Sequence, residues 1–136
     1  MDLAKALAIS AAGMQAQSGR LRVVAQNLAN ADSAATTPGG KPYQRRTVSF
    51  GDHIDRRTGA PLVAIVAEGR DTSPFRTRYE PGNPAADSRG YVTLPNVDPI
   101  IESMDMRDAE QVYSANLAVM QSARGMLTRT IDMLKS

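Results

Sequence analysis

The stretch LAISAAGMQAQSGRLRVVAQNLAN, Leu7 to Asn30, decides the fold. Leu7, Met14, Leu21 and Leu28 recur at intervals of seven, and Leu3, Ala11, Ser18, Val24 and Ala25 fill positions three or four residues away. This is close to the apolar seam of a coiled coil, with small side chains between the large ones. Lys5, Gln15, Arg20 and Gln26 occupy the opposite face. Asp2 suits the positive end of the helix dipole. Gly13 and Gly19 each cost about 1 kcal/mol relative to Ala inside a helix. They either admit a closely packed neighbour or keep the helix marginal in isolation.

Proline placement extends the reading to the whole chain. All eight prolines lie between Pro38 and Pro99, so both ends are free of the residue that breaks helices. Each end is a candidate helix of about thirty residues, or roughly 45 Å. The C-terminal one has a wider apolar face. Val112, Val119, Ala123, Met126 and Met133 form one row, interrupted by Asn116 and Thr130. Tyr113, Leu117, Met120, Leu127, Ile131 and Leu134 form the next, and the two rows together exceed 100° of helix surface, enough for more than one neighbour. Asn116 in an apolar row reads either as a register device or as an edge position in water. Asp105, Asp108 and Glu110 come early, while Arg124, Arg129 and Lys135 come late, as the dipole favours.

From Asn30 the chain changes character. Asn tolerates the left-handed conformation used at helix C-termini, and Thr36-Thr37-Pro38-Gly39-Gly40 reads as loop. Strand candidates run from Arg45 to Phe50, Leu62 to Val66, Phe75 to Tyr79 and Tyr91 to Leu94, punctuated by glycine and proline. The expected fold is mainly α with a small β insertion. Helical arms at 1–31 and 100–136 pair as a coiled-coil-like hairpin, antiparallel or parallel, around a short antiparallel β and loop segment at 32–99. Two helices alone leave the wide C-terminal face half exposed. Such a pair makes a poor monomer but a good subunit.

Composition removes most other functions. The chain has 136 residues, a net charge of +2, no Cys and no Trp. Absence of Cys excludes a disulfide framework and any thiolate metal site or nucleophile. His53 is the single histidine, so no triad or zinc site can be assembled around it. Asp71, Glu80, Asp87 and Asp98 lack the spacing of a calcium loop. No phosphate-cradling glycine motif is present, and no cofactor or enzymatic activity is expected. The basic pairs Arg45-Arg46 and Arg56-Arg57 are too local for a nucleic-acid stripe. No apolar run is long enough for a transmembrane helix. Leu3 to Met14 has a signal-peptide flavour, but Asp2 and the unbroken periodicity favour a retained helix. Five of the seven methionines lie in the C-terminal arm, where the adaptable thioether suits helix contacts.

Two runs in the first arm carry a resemblance: Ser10-Ala11-Ala12-Gly13-Met14-Gln15-Ala16-Gln17, and Arg20-Leu21-x-Val23-Val24-x-x-Asn27-Leu28-Ala29-Asn30. With Tyr113-x-Ala115-Asn116-Leu117 near the other end, they resemble the flagellar rod and hook axial proteins. The middle is similar to that of a proximal rod type. It has Tyr43-Gln44-Arg45-Arg46-x-Val48-x-Phe50, Asp71-x-Ser73-Pro74-Phe75-Arg76, Tyr79-Glu80-Pro81-Gly82 and Gly90-Tyr91-Val92-x-x-Pro95-Asn96-Val97-Asp98, in that order. Ser33 stands where Thr is common in the family, and Glu80 and Asn83 where Asp and His are.

The resemblance implies a structural subunit of the bacterial basal body, exported through the flagellar type III pathway and placed in the periplasmic rod. It implies partners: further copies, other rod proteins, the adaptor between membrane ring and rod, and the export apparatus. No nucleic acid and no membrane insertion are implied. The assembly interface expected from the arms comprises Leu7, Met14, Leu21, Val24, Asn27, Leu28 and Asn30 with Val112, Tyr113, Asn116, Leu117, Val119, Met120, Met126 and Leu127. A soluble coiled-coil adaptor would share the arms but has no need of the Ser-Pro-Phe-Arg and Pro-Asn-Val-Asp loops. A membrane-active helix would need a broader apolar face and more Lys.

Overall fold

The structure is a computed structural model, and it describes residues 2–135. Helix α1 spans Leu3–Ala29 and helix α2 spans Pro99–Lys135. Between them lie strands β1 (Arg46–Ile54), β2 (Pro61–Arg70), β3 (Arg76–Tyr79) and β4 (Tyr91–Leu94). The strands form two separate two-stranded sheets, β1 with β2 and β3 with β4. The mainly helical class with a small antiparallel β insertion is therefore observed. The strands fall where the punctuation placed them, with β1 and β2 extended by several residues.

Contacts divide the chain into two compact units, and α1, α2 and the β1–β2 hairpin each contribute to both. The first unit holds residues up to Leu21, Ser49–Ala67 and Arg107 onward. Asp2 caps α1 here, its Oδ1 accepting the Ala4 N–H at 3.0 Å. The two helix segments run antiparallel: Gly13 faces Asn116 and Arg20 reaches Asp108 at 2.9 Å. A Cβ on Gly13 would lie 2.8 Å from Asn116 Oδ1, so the glycine is what lets α2 approach. On another side of α1, Gly19 receives Ile65 of β2, whose Cδ1 would lie 2.4 Å from an added Cβ. Two neighbours on one helix explain why small residues are the deepest here. Ser10, Gly13 and Ala16 are buried, while Leu7, Met14 and Leu21 are half-buried. At the hairpin tip, the Asp55 N–H donates to Ala60 O at 2.8 Å, and Thr58 Oγ1 donates to Asp55 Oδ2 at 2.6 Å.

The second unit holds Arg22–Val48 and Glu68–Met106. Its core is Val23, Val24, Ala31, Ala35, Val92, Leu94 and Val97. β3 and β4 pair antiparallel with Arg76 opposite Leu94 and Tyr79 opposite Tyr91. The two tyrosine rings meet edge to face at 5.3 Å. Gly90 turns the chain into β4 with φ of 86°, and its bare Cα leaves room for the Tyr79 ring. α1 stops without a left-handed residue: among the described residues, no non-glycine residue has positive φ. That corrects the conformation anticipated for Asn30. Its Nδ2 instead donates back to Gln26 O at 2.8 Å, satisfying a terminal carbonyl directly.

Candidate assembly interface

Two layers make up the candidate site: a buried polar knot that fixes the helix ends, and an apolar helix surface that the described residues leave exposed. The knot lies in the second unit. Asn27 is buried on α1, and its amide behaves as a short strand edge. Its Oδ1 accepts the Arg46 N–H at 2.9 Å and its Nδ2 donates to Arg46 O at 2.9 Å. Tyr43 Oη donates to the same Oδ1 at 2.8 Å, and Nδ2 also reaches Glu102 Oε2 at 3.2 Å. Asn96 serves the preceding residue, accepting the Arg45 N–H at 2.8 Å. Its Nδ2 donates to Asp71 O and Ser73 O, both at 3.0 Å. Two asparagine side chains thus satisfy the backbone where β1 begins, as buried peptide groups require.

Glu102 is the only fully buried carboxylate among the described residues, and Arg45 Nε donates to its Oε1. Arg45 also faces Asp71 Oδ2 at 3.5 Å. Burial pulls the Arg45 guanidinium down, but the hydrogen bond and charge of Glu102 outweigh it and hold the group above its usual value. Burial likewise raises the Tyr43 phenol, opposed by the charge of Arg46. The Ser73 N–H and hydroxyl hold Asp71 below the ordinary carboxylate range, helped by Arg45. Asp98 caps α2, its Oδ1 accepting the Ile100 N–H at 2.9 Å, and Pro99 takes the first helical position where no donor is needed. Arg76 completes the closure with bonds to Pro95 O and Ala31 O, both at 3.0 Å.

These contacts give the sequence motifs a physical meaning. Pro95-Asn96-Val97-Asp98 is a clamp followed by a helix cap. The departures at Glu80 and Asn83 answer each other: Asn83 Nδ2 donates to Glu80 Oε2 at 3.0 Å, and Asn83 Oδ1 caps the Ala85 N–H at 2.9 Å. Ser33 keeps the hydroxyl contact to Asn30 Oδ1 at 3.2 Å. His53 is exposed on β1, and no cluster of three or more metal-ligating side chains occurs among the described residues.

The second layer is inverted relative to an ordinary helix. At the start of α2, Glu102 points inward while Ile100 is 73% exposed and Met104 is 65% exposed. Further along, Val112, Leu117, Val119, Met126, Leu127, Ile131, Met133 and Leu134 are exposed. Only Met106, Tyr113 and Met120 among its large apolar side chains are half-buried. In the first unit, Leu3, Ala6, Val119, Ala123 and Met126 line an apolar cleft of about 420 Å³. Asn116 is half-buried against Gly13 and its Nδ2 donates to Val112 O at 3.0 Å. Of the residues expected at the interface, Val24 and Asn27 are buried within the second unit, and Leu28 and Asn30 are half-buried. Sequence reading passed over Glu102, because an acid in a first helical turn looks like a dipole complement. The neighbouring pair Ile100-Ile101 was the available signal: two large apolar residues beside an acid leave one side with the wrong partner.

Two long end helices, a clamped middle and an uncovered apolar helix face define a subunit built for assembly. The family model described as flagellar basal body rod FlgEFG protein C-terminal matches residues 88–133, which cover β4 and most of α2. The flagellar basal-body rod protein FlgC of Agrobacterium fabrum is 46% identical over 134 residues, 98% of this chain and 96% of the relative. FlgC of Salmonella typhimurium is 40% identical, covering 98% of each, and that of Aquifex aeolicus is 38% identical, covering 99% of each. The chain belongs to the FlgC family of flagellar basal-body rod proteins. It is a structural subunit of the rod in the flagellar basal body.

Proposed function

We propose that the chain builds the proximal, periplasmic part of the rod as one subunit of a helical polymer. Its helical arms, 1–31 and 100–136, line the inside, and the segment 32–99 lies outside. The carrying observation is the apolar face of α2, from Ile100 to Leu134, left exposed while Glu102 is buried. Exposed large apolar side chains in this number mark a protein interface. A contact that pairs different faces of identical subunits does not close on itself and propagates as a filament. Leu117, Val119, Met126 and Leu127 receive neighbouring subunits, with the half-buried Leu7, Met14, Leu21 and Leu28 at the seam's edge. Val24 and Asn27 act from inside by fixing where the arms start and stop. Torque then passes through many apolar seams in parallel, with no catalytic step.

Deleting the gene and imaging purified basal bodies tests this. Loss of the rod and everything distal to it is expected, with recovery by the intact chain but not by one lacking residues 1–31. Rotating flagella in the deletion strain would refute the reading.

A further inference from the structure

The open end of the β1–β2 hairpin carries charge that rod packing through the helices leaves unused. The Asp71 N–H donates to Arg45 O at 2.8 Å, which closes the ladder and sets the next residues inward, Arg46 and Arg70, across from each other. Like charges directly opposite on an antiparallel pair are destabilising. Both line a concavity of about 390 Å³, together with Lys41, Pro42 and the rings of Tyr43 and Phe75. Internal compensation is incomplete. Arg46 has Gln26 Oε1 at 3.1 Å and Glu68 Oε2 at 3.4 Å, but Glu68 is shared with Arg22 at 2.6 Å. Asp71 is committed to Ser73 and Arg45. The side chains of Arg70 and Lys41 make no hydrogen bond or ion pair among the described residues. The site therefore fits a carboxylate carried next to apolar atoms.

We propose that this concavity receives Asp52 from the hairpin of a second copy of the chain. The two-residue period of a strand puts Phe50, Asp52 and Ile54 on one face of β1, and Phe50 and Ile54 are both exposed. The Asp52 side chain is exposed and makes no hydrogen bond or ion pair among the described residues. Other exposed acids sit in different surroundings. Glu110 and Asp132 lie on α2, with Arg107, Arg129 and Lys135 at helical spacing of three residues. Asp98 caps a helix and Asp32 faces Arg78. Asp52 is the exposed acid flanked by two exposed apolar side chains on its own strand face, and the concavity supplies cations beside Tyr43 and Phe75.

The inference rests on the rod reading, and its test separates the two. The chain has no cysteine, so single replacements report one position each. Arg70→Cys and an epitope-tagged Asp52→Cys are co-produced in the deletion strain, and isolated basal bodies are oxidised. A disulfide requires Cα atoms within about 7 Å, so a tagged–untagged dimer is expected only if the two sites meet between copies. In parallel, Arg70→Asp should shrink the swimming zone to under about a tenth, and adding Asp52→Arg to it should restore at least about half. Assembled rods that yield no cross-link would overturn the proposal and leave the rod reading intact. So would normal swimming of Arg70→Asp, or rescue only by changes in a different rod protein.

Discussion

Removing the Glu102 carboxylate tests the polar knot most directly. Glu102→Ala deletes the acceptor of Arg45 Nε and of Asn27 Nδ2 together. Losing one member of a buried ion pair costs about 3–5 kcal/mol, because the survivor is left uncompensated. Here the survivor has relief: the Arg45 side chain is 24% exposed, and Asp71 stands 3.5 Å away. Asn27 Nδ2 also keeps Arg46 O. The lower end, about 3 kcal/mol, is the expectation. With a urea slope of about 2 kcal/mol per molar, the midpoint falls by about 1.5 M. The assay is urea unfolding of the purified chain followed by helical circular dichroism. Replacing both partners, Arg45→Met with Glu102→Leu, removes the buried charges together and should recover most of the loss. A shift below about 0.3 M for Glu102→Ala, or a double variant as unstable as the two singles combined, would refute the reasoning.

Three further outcomes follow from the same geometry. Gly13→Ala gains about 1 kcal/mol of helix propensity but sets a Cβ 2.8 Å from Asn116 Oδ1, so it should destabilise. The same change should stabilise in an Asn116→Ala background, and thermal melts of the four proteins check the sign. The Asp71 carboxyl is held low in the folded chain, so its contribution is complete above its unfolded value of about 3.9 and is lost as pH falls through the lower folded value. Urea midpoints measured from pH 6 to pH 2 should show this acid loss, and Asp71→Asn should flatten that part of the profile. Val119→Asp places charge on an exposed α2 position. Monomer stability should change by less than about 0.5 kcal/mol, while swimming in soft agar is abolished.

Much of the fold was legible because its signals are local. The seven-residue recurrence from Leu7 to Leu28 and the confinement of proline to the middle mark both helices, and glycine and proline bracket all four strands. The antiparallel sense of the helix pair was not legible, because apolar stripes with small spacers pack in either direction. It became visible through Gly13 against Asn116 and Arg20 against Asp108, pairs with no local signature. Depth was misjudged for a related reason. Large side chains suggest burial, but a helix pressed from two sides buries its smallest residues, and so Ser10 and Ala16 lie deeper than Leu7 and Leu21. The roles of Asn27, Asn96 and Glu102 depend on partners far away in sequence, and periodicity carries no information about those.

The α2 partners of α1 arrive late. Arg20 and Asp108 are separated by 88 positions, and Asn27 and Glu102 by 75. A polypeptide threaded N-terminus first therefore exposes its opening helix long before α2 can dock on it, and a lone helix carrying Gly13 and Gly19 is barely stable. Closing so long a loop must precede the contacts that reward it, which slows folding. In such a threading the helix pair closes only once the final third of the chain has emerged. That order is written into the distance along the chain between each helix and its mate.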